Sequence, residues 1–213
     1  MRKFLSLPLM TIALALTGLF AVPALAADGS PDQITQSIVD ELSATIDGHR
    51  DELQTNRARL IDVIDDVFLP HFDLDYATIL VLGQNARTAT PDQRSRFAKA
   101  FYQSLTSKYA EGLLNFSRGA VKVLPSRGEP NSKRTIVRTQ ITLDDGKLAA
   151  VDFAFRKGSS GKWKAYDVII EGISYITNYR NQVAAEIGKD GIEALIKRLE
   201  TQGDDVLKTM DKE

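Results

Sequence analysis

The chain has 213 residues, 43% of them hydrophobic and 26% charged, with 27 basic against 28 acidic side chains and a formal net charge of -1. That apolar content argues against disorder, the balanced charge leaves no electrostatic surplus for generic nucleic-acid binding, and the length suits one domain with a sizeable core or two small ones. Cysteine is absent, which removes disulfides, thiolate zinc sites, iron–sulfur clusters and cysteine nucleophiles, and leaves His49 and His71 as the two histidines.

Met1-Arg2-Lys3 is a short positive start to an apolar stretch from Phe4 to Val22. Pro23 breaks that stretch just before Ala24-Leu25-Ala26, the small-x-small pattern read by signal peptidase. About 18–20 apolar residues just span a bilayer, so an uncleaved anchor is the competing reading. Pro8, Thr11, Thr17, Gly18 and the cleavage pattern oppose it. Residues 1–26 are therefore expected to be a cleaved signal peptide, and 27–213 a single exported, soluble domain. With no cysteine to lipidate, it is not expected to be a lipoprotein.

Ser30-Pro31 is a helix cap followed by a first-turn proline. Ile34, Ile38, Leu42 and Ile46 then recur at helical spacing as far as Gly48. A second helix carries Leu60, Ile61, Ile64, Val67 and Phe68 up to Pro70. Asp73 is placed to cap a short third helix that stops at Gly83. Thr90-Pro91 opens the longest helix, with Phe97, Phe101, Leu105, Tyr109, Leu113 and Phe116 as its apolar stripe. From Pro91 to Ser117 it would run roughly 40 Å at 1.5 Å per residue.

The period then switches to two. Val121 and Val123 form a short strand, and Val137 to Leu143 a second, which turns at Asp144-Asp145-Gly146. Val151, Phe153 and Phe155 line one face of the return strand. Gly158 to Gly161 makes the next turn, into Trp163 through Ile170. After Gly172 the helical period returns through Ile173, Ile176, Tyr179, Val183 and Ile187. Asp190 is placed to cap a last helix, and the tail from 203 to 213 is polar and expected to fray. Helices, then a meander, then helices describe an α+β domain with a roughly four-stranded antiparallel sheet.

Little of this carries catalytic chemistry. The histidines share no helical phase, and solvent-facing or capping roles explain them better than a metal. Asp73-Leu74-Asp75 and Asp144-Asp145-Gly146 have capping and turn explanations. No Gly-x-Ser-x-Gly, Walker loop or His-Glu-x-x-His occurs. Asp152 and Asp167 lie on neighbouring strands, on the face opposite Phe153 and Tyr166; covered by a helix they become buried carboxylates with shifted pKa values, exposed they are ordinary solubilising residues. The other face collects Val137, Ile141, Val151, Phe153, Phe155, Tyr166, Val168 and Ile170. With Phe97, Phe101, Tyr102, Tyr109 and Phe116 of the long helix, it can close as a solid core or leave an apolar cavity, and periodicity by itself favours the core.

Two stretches go beyond pattern. One runs from Leu69-Pro70-His71-Phe72-Asp73 through Tyr76-Ala77 and Val81-Leu82-Gly83-Gln84 to Ala89-Thr90-Pro91-Asp92-Gln93-Arg94. The other comprises Asp152-Phe153, Arg156-Lys157, Trp163 to Val168, Glu171-Gly172-Ile173-Ser174 and Asn178-Tyr179-Arg180. Together they closely resemble the MlaC family, the periplasmic phospholipid-binding components of the Mla lipid-transport system (the toluene-tolerance auxiliary family). Ala86, where many members carry an aromatic, is a visible departure.

The resemblance implies a twisted sheet and surrounding helices enclosing a deep apolar pocket for acyl chains, akin to nuclear-transport-factor-like folds. It implies a phospholipid cargo, no cofactor, and no catalysis. It also implies two membrane partners, an inner-membrane ABC transporter with an MCE-domain subunit and an outer-membrane lipoprotein–porin complex, with outer-membrane lipid asymmetry maintained by the traffic between them; the carrier itself would be a monomer. On that reading the lipid-binding residues are Phe97, Phe101, Tyr102, Leu105, Tyr109, Val137, Val151, Phe153, Phe155, Tyr166, Val168, Ile170, Ile173, Tyr179 and Arg180. Tyr102, Tyr109, Tyr166 and Tyr179 would lie nearer the mouth, and Arg180 would touch phosphate, a structural salt bridge being its equal alternative. Exposing about 30 methylenes at about 0.8 kcal/mol each costs about 24 kcal/mol, so a carrier has to keep the chains covered throughout. The rival readings are a small enzyme using Asp152 or Asp167 as a base on an apolar substrate, and a non-lipid envelope adaptor with a solid core.

Overall fold

The computed structural model describes residues 29–114, 120–125, 133–143 and 146–210. The expected signal peptide, Phe116, the Asp144-Asp145 half of the first turn and the last three residues of the tail lie outside the described residues.

Helix starts follow the capping chemistry read from the sequence. The Ser30 hydroxyl accepts from the Gln33 amide at 3.3 Å and the Gln33 side chain accepts from the Ser30 amide at 2.9 Å, opening α1 (Pro31–Thr55) with a capping box. Helix α1 continues past the expected stop at Gly48 by kinking at His49 (φ -133°, ψ 23°). Asn56 accepts from the Arg59 amide and starts α2 (Arg57–Phe68). Asp73 accepts from the Tyr76 amide at 3.2 Å and starts α3 (Leu74–Leu82), which Gly83 ends at φ +56° before a 3-10 turn over Gly83–Arg87. Thr90 and Gln93 form a second capping box at the head of α4 (Pro91–Leu113).

The strands are β1 (Val121–Val123), β2 (Arg134–Val137), β3 (Thr139–Thr142), β4 (Leu148–Lys157), β5 (Trp163–Ile170) and β6 (Ile173–Ser174). Arg138 interrupts the expected second strand, so that β2 and β3 pair with successive stretches of β4 while β5 takes the other edge. The sheet is thus four strands wide, plus the two-residue β6, and every named pairing is antiparallel. Ile173 therefore belongs to a strand, and α5 (Tyr175–Asp190) begins only after Ser174.

Two expectations about the C-terminal end need correcting. Asp190 is the last residue of α5, and Gly191, without a side-chain cap, precedes α6 (Ile192–Gln202). The tail does not fray after Gly203 but forms α7 (Asp204–Met210), because Val206, Leu207 and Met210 recur at helical spacing and bury against the helical core.

Helices α1 and α2 cover one face of the sheet, with Ile34, Ile38 and Val67 packed on Val137, Phe155 and Ala165. On the other face, Asp167 accepts from Ser174 and from the Ile176 amide at the start of α5, and Tyr166 meets Tyr76 of α3. The largest core lies among α3, α4, α5, α6 and α7, where Phe97, Tyr179, Leu195, Ile196 and Leu207 are all buried. Helix α4 packs chiefly on α2, α3, α6 and α7.

Candidate functional site

Antiparallel register places the apolar residues of the sheet face in rows. Phe153 stands between Val137 and Val168, Val151 pairs with Ile170, and Phe155 pairs with Ala165. Burial along these rows is graded. At one end Phe155, Ala165 and Val137 are sealed beneath α1 and α2. In the middle Phe153, Val168, Val151 and Ile170 are only half-buried, and beyond them Ile173 is 62% exposed. The face is a floor at the Phe155 end and an opening at the Ile170 end.

Tyr166 leaves this face. A bulge between the Ala154–Asp167 and Phe155–Ala165 pairs makes Tyr166 the unpaired extra residue, so Ala165 takes the inward position that strict alternation assigns to Tyr166. The Tyr166 ring instead meets Tyr76 edge-on at 5.2 Å, beside Arg156, whose guanidinium lies 4.0 Å from the Tyr76 centroid and 2.7 Å from Asp73.

From the long helix, Tyr109 reaches the open end. With Ile170, Glu171, Ile173, Tyr175, Asn178 and Gln182 it lines an open cleft of about 320 Å³. Leu105 is half-buried one turn earlier on α4. The Tyr109 and Tyr175 rings meet edge-on at 5.5 Å, and the Lys108 ammonium stands 5.1 Å from the Tyr109 centroid while donating to the Tyr179 hydroxyl at 3.2 Å. The cleft therefore combines an apolar inner wall with an aromatic, cationic and amide-bearing rim. Glu171 forms its lip at φ +50°, strained for a residue with a side chain. Its carboxylate accepts from the Ala150 amide at 2.6 Å, which ties the β5–β6 turn to β4.

Other expected site residues lie elsewhere. Phe97 and Phe101 stack at 5.2 Å inside the helical core, and Phe101 meets Tyr179 edge-on at 5.3 Å. The Tyr102 ring is buried and its hydroxyl donates to Asp65 at 2.8 Å, on the α2 side of α4. Burial pushes the Tyr102 phenol up, and also raises Asp65. Arg180 makes no salt bridge among the described residues; its Nε donates to the Leu80 carbonyl at 2.6 Å. It lines a separate open cleft of about 500 Å³. Ala86 is buried in the helical core near that cleft.

The two aspartates differ. Asp167 is 7% exposed and its carboxyl is held above the ordinary value, mainly by burial, against the pull of the Ser174 hydroxyl at 2.6 Å and the Ile176 amide at 3.0 Å. Both oxygens serve the start of α5. Asp152 accepts from the Thr139 amide at 3.3 Å. Neither lines either cleft. His49 lies exposed 3.6 Å from Glu52, and no cluster of metal-ligating side chains occurs among the described residues.

A family model described as "MlaC protein" matches residues 36–201. The chain belongs to the MlaC family. Over 191 residues, 89% of each chain, it is 26% identical to the intermembrane phospholipid transport system binding protein MlaC of Haemophilus influenzae. It is also 26% identical over 163 residues to the toluene tolerance protein ttg2D of Pseudomonas putida, covering 76% of this chain and 75% of that one. A phospholipid-binding protein of Ralstonia solanacearum, solved in complex with a phospholipid, superposes with a TM-score of 0.76 at 27% identity, covering 84% of this chain and 99% of that one. The MlaC fold is thus an α+β sheet-and-helix architecture here as in that relative. Sequence reasoning missed Lys108, Tyr175, Asn178 and Gln182 as rim residues. Lys108 was within reach, as the neighbour of Tyr109 on the helix stripe.

Proposed function

We propose that this protein carries phospholipid, holding acyl chains against the half-buried rows of the sheet and admitting them at the Tyr109–Ile170–Ile173 cleft. The observation that carries the reading is the burial gradient: a continuous apolar face that is sealed at Phe155 and open at Ile170. The opening runs along β5, since Ile141 on β3 is buried on the same face, and a closed core would be buried there too. Val137, Phe155 and Ala165 form the floor, Val151, Phe153 and Val168 the wall, and Tyr109, Tyr175 and Lys108 the rim, while Leu105 packs on the helical core. Membership of the MlaC family and likeness to a phospholipid-bound relative support the cargo. Hydrophobic burial supplies the affinity without covalent chemistry, and leaves the polar head at the wet rim.

In this reading residues 1–26 direct export and are cleaved, and the carrier works in the periplasm. There it exchanges lipid with an inner-membrane ABC transporter bearing an MCE-domain subunit and an outer-membrane lipoprotein–porin complex, and so maintains outer-membrane lipid asymmetry. Phe97, Phe101, Tyr102 and Tyr179 brace the helices behind the site instead of lining it.

Val151→Trp tests the wall. The indole would fill the space beside Ile170, so the folded variant is expected to take up less phospholipid from vesicles than the parent. Unchanged uptake would remove the sheet face from the site.

A further inference from the structure

The cleft of about 500 Å³ at the end of α3 lies apart from the lipid site and shares no lining residue with it. Its wall brings together Arg87, Arg94 and Arg180, beside Ile79 and Leu80. None of the three guanidiniums has a carboxylate partner among the described residues, whereas Arg57, Arg96, Arg156 and Arg198 each pair with an acid. Two of the three are fixed in place by the backbone. Arg180 spends its Nε on the Leu80 carbonyl and Arg94 spends one Nη on the carbonyls of Ala86 and Ala89, at 3.0 and 2.7 Å. Each keeps further N–H donors, and Arg87 on the exposed turn spends none on any described residue.

Gly83 permits this arrangement through its backbone angle rather than by leaving space. At φ +56° it turns the chain out of α3, and a Cβ there would stand 3.5 Å from the aliphatic stem of Arg180. Capping α3 accounts for Arg180 and bracing the turn accounts for Arg94, but neither explains why Arg87 joins them in one cavity with no counter-charge. Planar guanidinium forks gathered without an acid match the oxygens of a phosphate group, and the adjacent Ile79, 48% exposed, offers apolar contact to whatever carries it.

We propose that the Arg87–Arg94–Arg180 cleft is a second binding site, for a phosphate group, separate from the acyl-chain site on the sheet. The phosphate is either free or the headgroup of a lipid displayed on a membrane. Lipid bound in the sheet site does not have to leave for this site to fill.

Calorimetric titration of the purified chain with inorganic phosphate forms one arm, and co-sedimentation with phosphatidylcholine vesicles, with and without phosphatidic acid, the other. Binding is expected in at least one arm, weakened about tenfold or more in Arg87→Glu, since charge-assisted hydrogen bonds are lost and a like-charged group enters. Binding confined to the phosphatidic-acid vesicles assigns the site to headgroups, and binding of inorganic phosphate alone assigns it to the free ion. Arg87 bonds to nothing described, so its replacement is expected to leave the fold intact; Arg180→Lys, which keeps the charge and loses the fork, provides the second variant and is expected to weaken binding less than Arg87→Glu. Phospholipid bound in the sheet site, measured on the same samples by extraction, is expected to be unchanged. Absence of binding in both arms, binding indifferent to Arg87→Glu, or a parallel loss of sheet-bound lipid would each overturn the proposal. A chain that holds no extractable phospholipid yet binds phosphate through Arg87 would overturn the carrier reading and leave this site standing.

Discussion

Phe153 and Phe155 are two residues apart on one strand and one face, yet the burial gradient assigns them different work. Phe155 is 1% exposed among Ile34, Ile38 and Val67, so Phe155→Ala removes a full core ring and leaves a cavity. The expected cost is about 3–5 kcal/mol. For a domain of this size that lowers Tm by about 6–20 °C, at roughly 2–4 °C per kcal/mol. Phe153 is half-buried, so Phe153→Asp puts a carboxylate on the wall where acyl chains would lie while leaving it access to water in the empty protein. Chains bound over that group must desolvate it, at a cost of at least about 3 kcal/mol, which is roughly a hundredfold in affinity. Thermal unfolding followed by circular dichroism reads the first effect, and phospholipid taken up from vesicles the second. Phe155→Ala is expected to lower Tm sharply, and Phe153→Asp to abolish loading in a folded protein. A folded Phe153→Asp that loads normally, or a Phe155→Ala with unchanged Tm, would refute the division into floor and wall.

The other expectations concern residues away from the cleft. Leu207→Ala, at a fully buried position of the tail helix, is expected to destabilise by about 2–5 kcal/mol in denaturant titration, where a frayed tail would show no effect. Tyr102→Phe removes the donor to Asp65 and is expected to cost about 1 kcal/mol in the same titration with lipid loading unchanged, because the hydroxyl is engaged by Asp65 of α2 and Tyr102 does not line the cleft. Asp167 has a folded pKa above its unfolded value near 3.8, so its contribution to stability is fully present below that value and is lost as pH rises through the folded value. The stability of the parent minus that of Asp167→Asn is therefore expected to fall as pH climbs out of the acid range and then to level off; a difference that grows with pH would contradict the assignment.

Much of the fold was legible because its signals are local. Ser30-Pro31 and Thr90-Pro91 start helices through side-chain oxygens within three residues of the caps, and alternation in β4 correctly put Val151, Phe153 and Phe155 on one face. What stayed hidden depends on partners distant in sequence. The stripe of α4 announces a buried face without naming what buries it, and Phe97 and Phe101 turn toward α5, α6 and α7 instead of the sheet. Period-two counting assumes no inserted residue, so the bulge that expels Tyr166 has no signature in alternation. The tail looked polar because Val206, Leu207 and Met210 are few, yet three residues at helical spacing suffice to dock one short helix. Arg180 carries a charge whose direction was open, and a backbone carbonyl took it rather than a carboxylate.

A sheet face that holds acyl chains keeps its cargo through purification, so the protein is purified without detergent and extracted with organic solvent, and the extract is analysed by mass spectrometry. About one phospholipid equivalent per chain is expected, together with refilling of delipidated protein from vesicles. A chain that emerges empty and stays empty when offered vesicles would contradict the carrier reading.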